Sequence, residues 1–178
     1  MDCCSPRYFI NDTGFLQACP KRKRKSFCQI VTPSFLFASN ASQTVTLDTA
    51  ELPVPLVLDE NVTLRGFIAS PDFTQFASQN SGIYNATYDL TIAATAGVGE
   101  SVVVSILRNG EPIAGTEQTI VLAATPERVT LPNFPLSIFS GQVYSLAITP
   151  VTGAVLPITL EVTNASLYLN RIANLGGS

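Results

Sequence analysis

From residue 33 onward, hydrophobic and polar positions alternate in short runs, and turn-forming residues separate these runs about every 8–12 positions. The clearest alternation extends from Tyr84 to Ile92, with apolar residues at even positions and Asn, Thr or Asp at odd positions. A period of two is typical of a β-strand with one buried face. Asn109-Gly110 supplies a tight hairpin turn. The predicted strands are Thr44–Asp48, Val62–Ile68, Phe73–Ala77, Ile83–Thr95, Ser101–Arg108, Glu117–Ala123, Arg128–Leu131, Gln142–Thr149, Ile158–Val162 and Ser166–Ile172.

No segment combines helical periodicity with capping residues over three turns. The sequence therefore predicts an all-β jelly-roll sandwich over residues 33–178. Residues 1–32 show no sustained period and contain Pro6, Gly14 and Pro20. We interpret them as an extended N-terminal connector arm.

The arm and the body differ sharply in composition. All four cysteines (Cys3, Cys4, Cys19, Cys28) and all three lysines (Lys21, Lys23, Lys25) lie within the first 28 residues. There, six basic residues against two acids give a charge of +4, whereas four arginines against eleven acids give −7 beyond residue 28. Opposite charges favour contact between the arm of one copy and the body of another.

The body lacks the residues on which catalysis usually depends. The chain has no histidine and no tryptophan, so the commonest general base and zinc nitrogen ligand are missing. Asp59-Glu60, the only adjacent acidic pair, is typical of a solvated turn, and no phosphate loop or nucleophile elbow occurs. We therefore expect no enzyme activity, no cofactor and no metal.

The four cysteines allow two interpretations, disulfides or a zinc site. Zinc ligands usually come as two short knuckles, which the spacing of Cys3, Cys4, Cys19 and Cys28 does not match. A disulfide between adjacent cysteines is strained, so Cys3 and Cys4 are expected to reach different partners. We favour disulfide cross-links. A fully extended arm of this length spans roughly 100 Å, enough to reach a neighbouring copy.

The basic run Lys21–Lys25 has three possible roles. It could be a nuclear localisation signal, a nucleic-acid-binding arm as in jelly-roll capsids, or a solvated segment that docks on acidic groups. Five charges without interleaved aromatic residues favour the last of these. We expect neither nucleic acid nor membrane as a partner. An apolar leader of the secretory type is also absent from the N-terminus, which predicts synthesis in the cytoplasm without a signal peptide.

Three stretches of the body resemble a known family. They are Gly82-Ile83-Tyr84-Asn85-Ala86-Thr87-Tyr88-Asp89-Leu90-Thr91-Ile92, Phe35-Leu36-Phe37-Ala38-Ser39-Asn40-Ala41-Ser42 and Asn164-Ala165-Ser166-Leu167-Tyr168-Leu169-Asn170-Arg171-Ile172. Together they are similar to the tumour-necrosis-factor/complement-like jelly rolls of Bacillus spore exosporium proteins, namely the basal-layer (ExsF/BxpB-like) and BclA C-terminal-like family. The Cys3-Cys4 pair is similar to the connector of endospore appendage (Ena) pilus subunits. The collagen-like repeat of BclA filaments is absent.

The resemblance implies a function in assembly. It implies a structural subunit of a spore surface layer or appendage fibre, located in the exosporium or an appendage, with other spore-coat or exosporium proteins as partners. It also implies a homotrimeric body, with Tyr84, Tyr88 and Tyr168 as candidates for the shared interface, and disulfides through Cys3 and Cys4, with Cys19 as a further candidate. The alternatives are a viral capsid protein with a basic arm and a carbohydrate- or receptor-binding module.

Overall fold

The computed structural model describes residues 8–10, 16–18 and 33–175. The chain divides into two compact units, Met1–Thr32 and Pro33–Ser178. In the first unit, strands β1 (Tyr8–Ile10) and β2 (Leu16–Ala18) pair antiparallel. The sequence does not predict this pair, because three-residue strands are too short to show a period. Cys3, Cys4, Cys19, Cys28 and the run Lys21–Lys25 lie outside the described residues.

The described part of the second unit consists of strands and loops, and no helix occurs in it. Its strands are β3 (Phe35–Leu47), β4 (Val54–Pro55), β5 (Glu60–Arg65), β6 (Phe67–Ala69), β7 (Phe76–Ser78), β8 (Gly82–Ala96), β9 (Ser101–Arg108), β10 (Glu111–Pro112), β11 (Gln118–Val121), β12 (Glu127–Ile138), β13 (Val143–Pro150) and β14 (Ile158–Ala173). The all-β prediction is confirmed.

Two antiparallel sheets form the sandwich. The first has five strands in the order β12-β8-β14-β3-β5, and the second has the path β10-β9-β13-β7-β6, with β11 joined to β9 and β4 to β13. Neighbours in a sheet are often distant in sequence, as β3 and β14 are, which is typical of jelly-roll connections. The even positions of β8 are buried and the odd ones are half-exposed, as the alternation predicted.

One hydrophobic core fills the space between the sheets. Its largest fully buried side chains include Tyr84, Tyr88 and Phe76. The rings of Phe67 and Tyr84 meet edge to face with their centroids 5.7 Å apart. Full burial of a large apolar side chain stabilises a fold by about 1.5–3 kcal/mol, so this core is the main source of stability.

Because neighbouring strands are antiparallel, the loops gather at two ends of the sandwich. At the near end, Phe35 lies opposite both Arg65 and Asn170, next to the point where the chain enters the body at Pro33. At the far end, Leu47 lies opposite Ile158. We define the far loop surface as the loops 48–53, 97–100, 122–126 and 151–157.

Two predicted strands are broken by turns. Val62–Ile68 divides into β5 and β6 at Gly66, whose φ of 74° bends the chain. Phe73–Ala77 begins in a turn, where Phe73 has a φ of 53°, and β7 starts only at Phe76. The Asp72 carboxylate holds this turn by accepting hydrogen bonds from the hydroxyls of Ser70 and Thr74, which lower its pKa.

Two other predictions were too short. Arg128–Leu131 extends to Ile138 despite Pro132 and Pro135, because β12 is an edge strand and shifts register between Leu131 and Phe134. Ile158–Val162 and Ser166–Ile172 are one strand, β14, interrupted by a bulge at Asn164 with a φ of 52°.

Candidate assembly surface

Tyr84 lies in the core and not at a surface that a second copy could reach. Its side chain is fully buried. The hydroxyl donates to Ser34 Oγ at 2.8 Å and lies 3.0 Å from the Asn80 carbonyl oxygen. The Ser34 hydroxyl in turn donates to the Arg65 carbonyl oxygen at 3.0 Å. The prediction that Tyr84 lies at an oligomer interface was therefore wrong.

The same correction applies to Tyr88, which is 2% exposed. Its hydroxyl donates to the Thr116 carbonyl oxygen at 2.8 Å, with the Val104 carbonyl oxygen at 3.3 Å. Burial raises the pKa of Tyr88 well above its ordinary value. The even positions of β8 face the second sheet, so both tyrosines belong to the interior.

Tyr168 is the one predicted interface residue that the structure places on the outside. On β14 it lies opposite Phe37 of β3 and Thr87 of β8. Its ring meets Phe37 edge to face, with centroids 6.4 Å apart, and the two side chains are 39% and 37% exposed. Aromatic pairs of this kind contribute strongly to protein interfaces when a partner covers them.

Two further apolar residues extend this pair toward the near end. Phe35 precedes Phe37 by two positions on β3 and is partly buried. Ile172 lies near the end of β14 and is 48% exposed. We call Phe35, Phe37, Tyr168 and Ile172 the aromatic patch. The sequence signal for it is the alternation in Phe35-Leu36-Phe37-Ala38, which carries the family resemblance and lies in none of the predicted strands.

Several rows of this outer sheet face carry small hydroxyl-bearing side chains. Thr91 of β8 lies opposite Thr163 of β14, which in turn lies opposite Ser42 of β3. Ser166 occupies the row between Asp89 and Ser39. Short hydroxyl side chains project little from the sheet. Another surface can therefore approach these rows closely beside the larger side chains of the aromatic patch.

A charged pair and a shallow depression adjoin the patch. Arg128 binds Asp89 through both Nε and Nη2, and the Nε to Oδ1 distance is 2.9 Å. The hydrogen bond to Asp89 raises the pKa of Arg128. The depression has a volume of about 450 Å³. It is lined by Thr87, Tyr88, Asp89, Arg128, Thr130, Leu131, Pro132 and Ser166.

Within 8–10, 16–18 and 33–175, no three His, Cys, Asp or Glu side chains are grouped to hold a metal ion. In the same part of the chain, no helix is long and apolar enough to cross a membrane. The four cysteines, for which disulfides and zinc were weighed, lie outside the described residues.

Comparison with solved structures identifies the architecture. Eiger TNF from S. frugiperda aligns with a TM-score of 0.50 and 9% identity, covering 82% of this chain and 94% of that one. Murine APRIL at pH 8.0 aligns with a TM-score of 0.51 and 13% identity, covering 79% of this chain and 100% of that one. The body is a tumour-necrosis-factor-like jelly roll. No family model matches the sequence, and no curated protein matches it.

Proposed function

We propose that this protein is a structural subunit of a bacterial spore surface layer or appendage fibre, assembling through an oligomeric jelly roll and disulfide-forming N-terminal arms. The observation that carries the proposal is the exposed Phe37–Tyr168 pair on the outer face of the five-stranded sheet. The spore location rests on the sequence resemblance.

The aromatic patch favours self-association. Two aromatic rings more than a third exposed on one sheet face are costly to leave in water, and a second copy would cover them. The low hydroxyl-bearing rows around the patch let the partner approach closely. A homotrimer is the symmetry that the resemblance implies.

The arms supply the second connection. The body has no cysteine beyond Cys28, so any disulfide between copies joins arm to arm. Such links would make an assembly resistant to heat and detergent until it is reduced. Oxidation after release from the cell would satisfy the requirement for an oxidising environment.

Light scattering of the full chain under reducing conditions tests the patch. We expect the wild type to be oligomeric and the double variant Phe37→Ser, Tyr168→Ser to shift toward the monomer. Ile68→Ser is the control, because Ile68 is 56% exposed on β6 of the other sheet. A wild type that stays monomeric at micromolar concentration, or a double variant that associates unchanged, would contradict the proposal.

A second candidate, a carbohydrate-binding module, is favoured by the depression beside Tyr168. There the Asp89–Arg128 pair and the hydroxyls of Thr87, Thr130 and Ser166 offer hydrogen bonds. Tyr168, opposite Thr87, adds an aromatic ring at its margin. Saturation-transfer NMR with glucose, galactose, mannose and N-acetylglucosamine tests this candidate. A transfer signal in the wild type that is lost in Asp89→Asn would support carbohydrate binding, and no signal with any of the four sugars would contradict it.

A further inference from the structure

The two ends of the jelly-roll unit differ in charge. At the near end, strands β5 and β9 finish at Arg65 and Arg108, and Arg171 lies near the end of β14, with Glu111 opposite Arg108 as the acid among them. The far loop surface contains no Lys, Arg or His. Its acids are Asp48, Glu51 and Glu100, and β12 begins after one of its loops with Glu127 and Arg128. The two ends of the unit therefore differ in the sign of their charge. The negative end is the one away from Pro33, where the chain enters the body.

The far loop surface also exposes apolar side chains. Leu52, Val98 and Val155 lie in its loops, Val121 ends the strand that leads into it, and all four are 57–71% exposed. Backbone hydrogen bonds hold the loops together, from Gly99 N to Leu122 O at 2.8 Å and from Val151 N to Ser101 O at 3.0 Å. Exposed apolar side chains and acids thus occur together in the loops at this end of the unit. Such a surface fits a basic segment that also carries apolar residues.

We propose that the far loop surface binds residues 15–31 of a second copy. This segment contains the basic run Lys21–Lys25, with Phe15 and Leu16 before it and Phe27, Ile30 and Val31 after it. Five positive charges would face the acids of the surface, and the flanking apolar residues would cover its exposed side chains. The inference rests on the proposed function, since it names the partner in self-assembly.

Chain length keeps the centre of the basic run from reaching the far loop surface of its own copy. From Phe35 at the near end to Leu47 at the far end, β3 rises by roughly 40 Å at about 3.3 Å per residue. Lys23, the centre of the run, is ten residues from Pro33, a span of at most about 36 Å when fully extended. The centre of the run therefore cannot reach the far loops of its own body, whereas those of a copy stacked at the near end are accessible.

Repetition of this contact has a structural consequence. It joins the near end of one copy to the far end of the next, which is a head-to-tail contact between two different surfaces. Contacts of this type that do not close into a ring generate open filaments. The basic run would then set the direction of growth, and the cysteines on either side of it would lock the joined copies.

Zero-length cross-linking tests the inference directly, because every lysine of the chain lies in the run. An equal mixture of ¹⁴N- and ¹⁵N-labelled full chains, under reducing conditions, is treated with a carbodiimide and digested. We expect mixed-isotope peptides that join Lys21, Lys23 or Lys25 to Asp48, Glu51 or Glu100. Links only to other acids, links only within one chain, or no links would overturn the inference.

A charge exchange gives an independent test. Asp48→Lys with Glu100→Lys should weaken association about tenfold or more at low salt, and adding Lys21→Glu with Lys25→Glu should restore it. Glu111→Lys with Glu117→Lys is the control, with the same change of charge away from the far loop surface. If the wild type associates and Asp48→Lys, Glu100→Lys leaves association unchanged, this inference fails and the proposed function stands. A wild type that never associates defeats the proposed function itself.

Discussion

The hydroxyl of Tyr84 donates a buried hydrogen bond to Ser34 Oγ at 2.8 Å, across fifty residues of sequence. Ser34 is the second residue of the jelly-roll unit and is 1% exposed. Its carbonyl oxygen also accepts from Arg171 N at 2.9 Å. The chain is therefore fixed to both β8 and β14 at the point where it enters the body.

Removal of the Tyr84 hydroxyl should destabilise the body. We expect Tyr84→Phe to lower the free energy of unfolding by about 1 kcal/mol, because Ser34 Oγ loses a buried donor. Tyr168→Phe, in which the lost hydroxyl belongs to a partly exposed ring, should change it by less than about 0.5 kcal/mol. Urea denaturation followed by circular dichroism measures both. Equal effects in the two variants would show that the bond to Ser34 contributes nothing.

Alkaline pH should destabilise the body through a buried tyrosine. Burial raises the pKa of Tyr144 to about 12, above its ordinary value near 10. The folded state therefore favours the neutral phenol, and this contribution to stability is complete below pH 10 and is lost as the pH rises toward 12. Tyr144→Phe should show a smaller loss of stability between pH 9 and 11 than the wild type in urea titrations. Parallel losses in the two proteins would contradict this account.

Substitution of Gly66 should be poorly tolerated. A Cβ there would lie 2.2 Å from Asn80 Nδ2 and 2.5 Å from Ser34 Oγ, at a φ of 74°. We expect Gly66→Ala to cost more than about 2 kcal/mol, the sum of strain and displaced polar groups. Gly99→Ala is the control, since its φ is 93° but nothing lies within 4 Å of its Cβ. Thermal unfolding should rank Gly66→Ala well below Gly99→Ala, and the reverse order would refute the argument.

Removal of residues 1–32 should separate folding from assembly. The core of the jelly-roll unit lies within residues 33–175, so we expect the shortened chain to give the β-type circular dichroism of the full chain. It should no longer form large assemblies, because it lacks all cysteines and the basic run. Size-exclusion chromatography measures the second effect. An unfolded product, or large assemblies that persist, would count against the two-part organisation.

The disulfide prediction concerns Cys3 and Cys4. In oxidised full-length material we expect intermolecular bonds that keep multimers intact in detergent until reductant is added. Non-reducing gels and mass spectrometry of the peptides identify the bonds, and Cys3→Ser with Cys4→Ser should release monomers. Monomer bands without reductant, or one zinc ion per chain, would contradict the prediction.

Sequence alone predicted the fold well where one strand face is uniformly apolar. The bounds of β9, Ser101–Arg108, match the prediction, and β8 differs by one residue at each end. The strand breaks at Gly66 and Phe73 were not predicted, because a residue in the left-handed region interrupts a strand without changing the hydrophobic pattern of the sequence. Strand β12 continues through Pro132 and Pro135 because it lies at the edge of its sheet. Its predicted end at Leu131 was too early, because nothing in the sequence pattern shows that edge position.

The surfaces were harder to predict than the strands. Alternation places Tyr84 and Tyr88 on the apolar face of β8, and that face is the core, so assigning them to an interface by resemblance was wrong. Tyr168 and Phe37 are 131 residues apart in sequence and become neighbours only through the pairing of β3 with β14. The far loop surface likewise depends on which loops the topology gathers at one end. Periodicity contains no such information.

Negative-stain electron microscopy of the purified full chain, before and after reduction, tests self-assembly most directly. We expect oxidised protein to form fibres or lattices with a regular repeat, and reduced protein in detergent to lose them. Dispersed particles of single 19.0 kDa chains in the oxidised sample, with no ordered assembly at any concentration, would contradict the account.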